Sequence, residues 1–489
     1  MIRRWGSALV LIGLLAGCAS PRPAPPAAAP DLGRGLATKV TADGMFAHLR
    51  ALQEIANANK GNRAEGTPGY DASVEYVANA LRNNGFDVAT PQFDRLYAVS
   101  PGKPLLTIAG SNYSVDQASL LVRTPPGGLT GQPVRPRQPS GCAAGDYPAT
   151  LPAGAIAVVD DAHCSVVDKQ NSAKAKGAAA LIVVSAPNGQ GAPPTLFNPG
   201  YFKQLTMPVA VVGSYGGSAL ARSTAPVRLV LDAENAKVTS RNVLAQTKTG
   251  STKDVIVVGA HLDGPRTGPG INDNGSGVAA VLETALRLGP LAPVNNAVRF
   301  VFWGADEDGL NGVLDYVFGL NEQQLNDIAL YLDFNLLGSP NAGFFTDDGD
   351  QSGPPGPGIS FGDVPDGSAG IERTLSGYLN LAGKRPADMP LGIRTDYHPF
   401  MIAGIPIGGM STGASQPKTT VQARLWGGQV GVGFDPNFQS PRDTIDNINR
   451  EALAIMGSGV AFAVGHYAES IAGVNGVPPR DKRHRTRVP

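Results

Sequence analysis

The sequence predicts an α/β protein: a mostly parallel sheet flanked by helices, interrupted by a smaller β-rich α/β domain. Short apolar runs rich in β-branched residues, at 255–260, 298–303, 329–334 and 405–410, alternate with helical patterns such as 278–288, which is the rhythm of βαβ units. Each run is too short for a helix and ends on polar residues: His261, Asp306 with Glu307, Asn335, and Ser411 with Thr412. In open α/β sheets ligands bind outside the carboxyl ends of the strands, so these residues are expected to share one crevice. Between about 101 and 235 the texture changes to short apolar runs separated by Gly, Pro and Ser, which marks the inserted unit.

In chain order, Arg3 and Arg4 precede a short apolar run at 8–15 and then Ala16, Gly17 and Cys18, the pattern of a secretory signal rather than a spanning helix. LAGC resembles the bacterial lipobox, which implies lipidation of Cys18, export, and a lipid anchor to the bacterial cell membrane. Residues 19–37 read as a Pro/Ala-rich linker that holds the folded part away from a membrane. The main domain is expected at 38–100 and 238–475, the inserted domain at 101–237, and a basic disordered tail at 476–489.

Phe46, Leu49, Leu52 and Ile55 recur at helical spacing, and a second helix is expected from Asp71 to a stop at Gly85, with a strand after it. Lys+Arg and Asp+Glu are balanced at 40 each in 489 residues, so no overall field points to nucleic acid or to an anionic membrane surface. With Cys18 assigned to the anchor, Cys142 and Cys164 remain as an even pair in an oxidising compartment and read as one disulfide. A metal or redox pair would call for CxxC spacing or a nearby cluster of histidines, which are missing. The inserted segment, with HCSVVDKQNSAKAKGAAALIVV and MPVAVVG, resembles a protease-associated domain, which implies a lid or docking unit without chemistry of its own.

The stretch VIVVGAHLDGPRTGPGINDNGSG, residues 255–277, brings His261, Asp263 and Asp273 to one strand end and helix start. With RFVFWGADEDGLNG, LYLDFNLLGSPN, RTDYHPFMIAGIPIGGMSTG and GFDPNFQSPRDTIDNIN, in this order around the insert, it resembles the aminopeptidase Y-type di-zinc exopeptidases, metallopeptidase family 28. The resemblance spans about residues 40–470 and implies a zinc-exopeptidase-like fold. It also implies two zinc ions sharing a bridging aspartate, a glutamate base, and peptides or N-terminal segments of proteins as partners.

Carried over residue by residue, the resemblance places His261 at the first histidine ligand and Asp263 at the carboxylate that orients it. Asp273 stands at the bridge and Glu307 at the glutamate ligand. The other places are substituted. Asp306 stands where the family has its glutamate base, and Asn335, in LDFN against NFD, where it has an aspartate ligand. Asp333 lies two residues before Asn335 on the same strand face, roughly 6.6 Å away. Phe438 and Gln439 stand where the family has its oxyanion tyrosine and last histidine ligand, and the local second cysteine is Arg442. Arg394 is a candidate for substrate binding, and His398 for an extra ligand to a single weakly held ion at His261, Asp273 and Glu307. Amide oxygens suit hard ions better than zinc, so full di-zinc occupancy is not expected. The expected function is thus an exported member of the family with weak or lost hydrolysis. The alternative is a pseudopeptidase that binds peptides or amino termini without cleaving them.

Overall fold

The computed structural model describes residues 31–98, 103–119, 121–185, 204–232, 234–356, 358–473 and 476–487. Cys18 and the proline-rich stretch at 19–30 lie outside the described residues. Among the described residues no helix is long and apolar enough to cross a membrane.

Eight strands form the main sheet: β1 (Val88–Ala89), β2 (Val243–Gln246), β3 (Ser251–His261), β4 (Asn296–Trp303), β5 (Ile328–Phe334), β6 (Phe345–Asp347), β7 (Ala387–Met389) and β8 (Ile407–Ser411). Their order is β1-β2-β4-β3-β5-β8-β6-β7. The central four, β4-β3-β5-β8, are parallel, while β2 on one side and β6 on the other run antiparallel to their central neighbours. The four expected runs are these four strands.

Continuous apolar runs suit strands covered on both faces, and β3 shows the division residue by residue. Ile256, Val258 and Ala260 enter one core with the helices Ala42–Ala58, Gly275–Leu288 and Arg450–Glu469. Val255 and Val257 enter the other with Trp303, Tyr331 and Phe400, under the helices Asn311–Gly319 and Tyr397–Ile402. There Tyr331 stacks on Phe400 with ring centroids 4.0 Å apart, and Trp303 Nε1 donates to Tyr331 Oη at 2.9 Å. Gly259 of β3 makes room for that pair, since a Cβ there would lie 2.4 Å from Tyr331 Oη.

The inserted domain holds a five-stranded and a four-stranded sheet. The expected strands appear at Ile156–Asp160, Ala180–Val184 and Val209–Val212, and the small helix at Val166–Lys174. Cys142 and Cys164 are bonded, with S–S 2.04 Å and Cα–Cα 5.9 Å. Strands Gln92–Ala98 and Asn235–Arg241 pair antiparallel where the chain leaves the main domain and returns to it.

Two boundary expectations are corrected. Residues of the expected linker form the helix Leu32–Ala37, capped by Asp31 and seated against Arg450–Glu469 where Gly33 meets Gly465. Six residues are too few for a periodic signal. The basic tail, expected to be disordered, folds back onto the main domain: Arg483 donates to the backbone oxygens of Lys253 and Asn326 at 3.0 and 2.8 Å, and Arg485 to that of Ile328 at 2.9 Å. Guanidinium groups that satisfy backbone carbonyls look, in sequence, like a solvated charge run.

Candidate functional site

The carboxyl ends of β3, β4, β5 and β8 open into one crevice, and a single buried arginine holds its floor. Arg63, from the loop before the helix Pro68–Asn83, donates to Leu262 O at 2.7 Å, to Pro269 O at 2.9 Å and to Gly270 O. Its planar fork thus fixes the loop between His261 and Asp273. Asp443 accepts from the backbone N–H groups of Asn272 (2.7 Å) and Asp273 (3.0 Å), and Asn274 caps the helix Gly275–Leu288 while donating to Phe334 O at 2.9 Å. The loop is therefore tied to the end of β5. Arg63 and Asp443 have no period or motif to mark them in the sequence.

His261, the last residue of β3, is buried. Its Nε2 lies 3.5 Å from Asp273 Oδ1 and 3.9 Å from Asp306 Oδ2. Its Nδ1 is bonded to the backbone oxygen of Asp263 at 3.1 Å, with the carboxylate 4.0 Å away. The Asp263 carboxylate instead accepts from the backbone N–H groups of Asp306 (3.1 Å) and Glu307 (3.2 Å), so it shapes the turn after β4.

Beyond that turn, Gln439 Nε2 donates to Glu307 Oε2 at 2.9 Å. Gln439 is held there with a left-handed φ of 50°. Phe438 is half-buried beside it. The ladder between β3 and β5 ends at Gly259 opposite Asp333, and Asn335 follows directly after the end of β5. Asn335 lines one cavity with Asp333, and Gln439 lines another with Asp263 and Glu307.

A carboxylate that the sequence reading passed over completes the cluster. Asp396 is fully buried beside Asp306, Asp333 and His261. It belongs to the RTDYHPF stretch in which His398 was the expected ligand. His398 lies apart, with Asp363 as the carboxylate acting on it. Asp333 Oδ2 accepts from Thr395 Oγ1 at 2.9 Å. Asp333, Asn335 and the exposed Arg394 line a cavity of about 570 Å³ that continues under β6 and β8.

Six carboxylates, those of Asp263, Asp273, Asp306, Glu307, Asp333 and Asp396, therefore share a buried space with His261 and Arg63. Burial raises Asp263 and Asp333 to about 7, and burial with the Asp273 charge raises Glu307 to about 8. Asp396 is pushed well above the usual carboxylate range by burial and then by Asp306. Burial disfavours a charged His261, but Asp306, Asp273 and Asp396 outweigh it and raise the imidazole well above its usual pKa. Among the described residues, Asp306 Oδ1, Glu307 Oε1, Asp333 Oδ1, Asn335 Oδ1 and both Asp396 oxygens are buried without a hydrogen-bond donor. A proton held between Asp396 and Asp306 would join that pair. Buried acceptors of this kind call for protons or a cation.

Among the described residues, three His, Cys, Asp or Glu side chains with ligand atoms all within 4.8 Å of one another occur at Asp348, Glu372 and Asp388, and not around His261. Those three are already occupied by donors from Asp350, Ser352 and Gly353.

Residues 242–464 match the model of peptidase family M28, and residues 129–220 that of the PA domain. The chain is 47% identical over 464 residues to a probable lipoprotein aminopeptidase, LpqL, of Mycobacterium tuberculosis, covering 94% of this chain and 91% of that one. It is 37% identical over 444 residues to an aminopeptidase of Pseudomonas aeruginosa, covering 88% and 81%. Among solved structures, the aminopeptidase from Aneurinibacillus sp. strain AM-1 shares the fold with a TM-score of 0.51 at 23% identity, over 91% of this chain and 98% of that one. By these relatives, the chain belongs to peptidase family M28, the zinc aminopeptidase family, and carries a PA domain inserted in its peptidase domain.

Proposed function

We propose that this protein is an exported, lipid-anchored M28 member that keeps the family cleft for peptide amino termini while hydrolysis is weak or lost. The observation that carries this is the hydrogen bond from Gln439 Nε2 to Glu307 Oε2. An amide N–H₂ is a donor where the family has an imidazole ligand, and it occupies one oxygen of Glu307 while Glu307 Oε1 stays without a partner. The donor set does not fit two zinc ions. Zinc sites are built from nitrogen, thiolate and carboxylate ligands at about 2.0–2.3 Å, and here only His261, Asp273 and Glu307 stand at the family's ligand places, with Asn335 and Gln439 at the other two. The unpaired oxygens of Asp306, Glu307, Asp333 and Asp396 leave an unmet demand for positive charge around His261. A single, weakly held ion or shared protons would meet it.

The test is binding and turnover measured together. A short peptide with a free amino group should bind in calorimetry, its N-acetylated form should bind at least 10-fold more weakly, and an aminoacyl chromogenic substrate should be cleaved slowly or not at all. Cleavage at an ordinary aminopeptidase rate, about 10 s⁻¹, would refute loss of activity. Equal binding of the acetylated peptide would refute amino-terminus recognition.

The anchor rests on LAGC at 15–18 and on the name of the LpqL relative. Cys18→Ser is expected to move the protein from the membrane to the soluble fraction, and unchanged fractionation would count against lipidation.

A further inference from the structure

The cavity beside Asn335 has one feature that family membership does not explain. Its walls are largely apolar, with Leu336, Met389, Pro390, Ile393 and Met410 beside the polar Tyr397, Ser411 and Gln416, and Asp347 of β6 lies among them. Asp347 is 9% exposed, and among the described residues its carboxylate receives no hydrogen bond or ion pair. Its charged neighbours, Asp333 and Glu372, are negative, and burial first, then these two, hold its pKa well above the carboxylate range. A carboxylate left among apolar walls without a partner is costly, and a cation that reaches it removes that cost.

The sheet sets the spacing. Phe345 pairs with Ser411 and Thr346 with Met410, so Asp347 comes opposite Gly409, and Gly409 pairs on its other side with Asp333. Residues directly opposite one another point to the same face, so Asp333 and Asp347 stand on one face, two strands or about 10 Å apart. Glycine between them leaves the space open, for a Cβ at Gly409 would lie 2.7 Å from Asp347 Oδ2. The cavity thus runs from the His261 cluster to a carboxylate along apolar walls.

We infer that this cavity receives the first side chain of a bound peptide and that Asp347 selects a basic one, lysine or arginine. The inference rests on the reading that the cleft takes peptide amino termini. An aliphatic stem would lie along Met389, Pro390 and Met410 while its cationic head meets Asp347. A leucine would fill the walls and leave the carboxylate unpaired. The competing occupant is the protein's own Arg394, exposed at the rim of the same cavity.

The test is calorimetry with two tripeptides, Lys-Ala-Ala and Leu-Ala-Ala, on the purified protein and on Asp347→Asn, Asp347→Leu and Arg394→Ala, with the melting temperature of each variant as the control for folding. The lysine peptide should bind at least 10-fold tighter than the leucine peptide. Asp347→Asn should remove that preference, and Asp347→Leu should reverse it. Equal binding of both peptides by the unmodified protein, or a lysine preference that survives both Asp347 substitutions, would overturn the assignment while leaving amino-terminus binding intact. A lysine preference seen only in Arg394→Ala would assign Asp347 to Arg394 instead and overturn it also. If neither peptide binds, the amino-terminus reading falls and this inference with it.

Discussion

Arg63→Ala is expected to be the most damaging single substitution near the site. The guanidinium satisfies three backbone carbonyls of the 262–270 loop and stands near Asp263, Asp273, Glu307 and Asp443. Burial lowers it to about 10, so it stays cationic at neutral pH. Its loss leaves those carbonyls unpaired and withdraws a buried positive charge from these carboxylates, a cost on the order of 3–5 kcal/mol. Arg63→Lys keeps the charge but cannot span three acceptors with a fork, so it should fall between. The melting temperature of the main domain checks this. A change within a degree for Arg63→Ala would mean that the loop is held by other contacts, Asp443 foremost.

The second large effect is a gain. Asp306→Glu, Asn335→Asp, Phe438→Tyr and Gln439→His together restore the four family residues at the substituted places. A repositioned base accounts for about 100-fold or more, and a restored oxyanion donor for a similar factor. Cleavage of an aminoacyl chromogenic substrate should therefore rise at least ~100-fold. The single changes should do little, because Gln439 and Glu307 are bonded to each other and each missing group limits the rest. If Gln439→His alone gave the full gain, the substitutions at 306, 335 and 438 would carry no defect of their own.

The sheet was legible because buried parallel strands write themselves as unbroken apolar runs: 255–260, 298–303 and 329–334 fell in strands, and 405–410 overlaps the strand Ile407–Ser411. The substituted places were legible for a different reason. Asn335 and Gln439 sit inside ordered motifs whose flanks fix their register, with Asn335 directly after β5 and Gln439 bonded to Glu307. Asp396 was not legible. It shares RTDYHPF with His398, and only the turn into the helix Tyr397–Ile402 decides which of the two faces Asp306. A sequence gives residue types there and no direction.

Arg63 was hidden in a polar loop, since its partners are backbone oxygens about 200 residues away, and backbone oxygens leave no trace in composition. The tail failed for the same reason, with Arg483 bonded to the carbonyls of Lys253 and Asn326. Asp263 was read as the residue that orients His261; its carboxylate lies 4.0 Å from His261 Nδ1 and also binds the turn at Asp306 and Glu307. That second role lies in a tertiary contact between two strand ends, which spacing along the chain cannot express.

The most direct test of the account is the number of zinc ions per chain, read by native mass spectrometry on protein purified without chelator and dialysed against a slight excess of zinc. Fewer than two are expected, with no second equivalent in His261→Ala. Two tightly held zinc ions per chain, with aminopeptidase activity that disappears in His261→Ala, would contradict it.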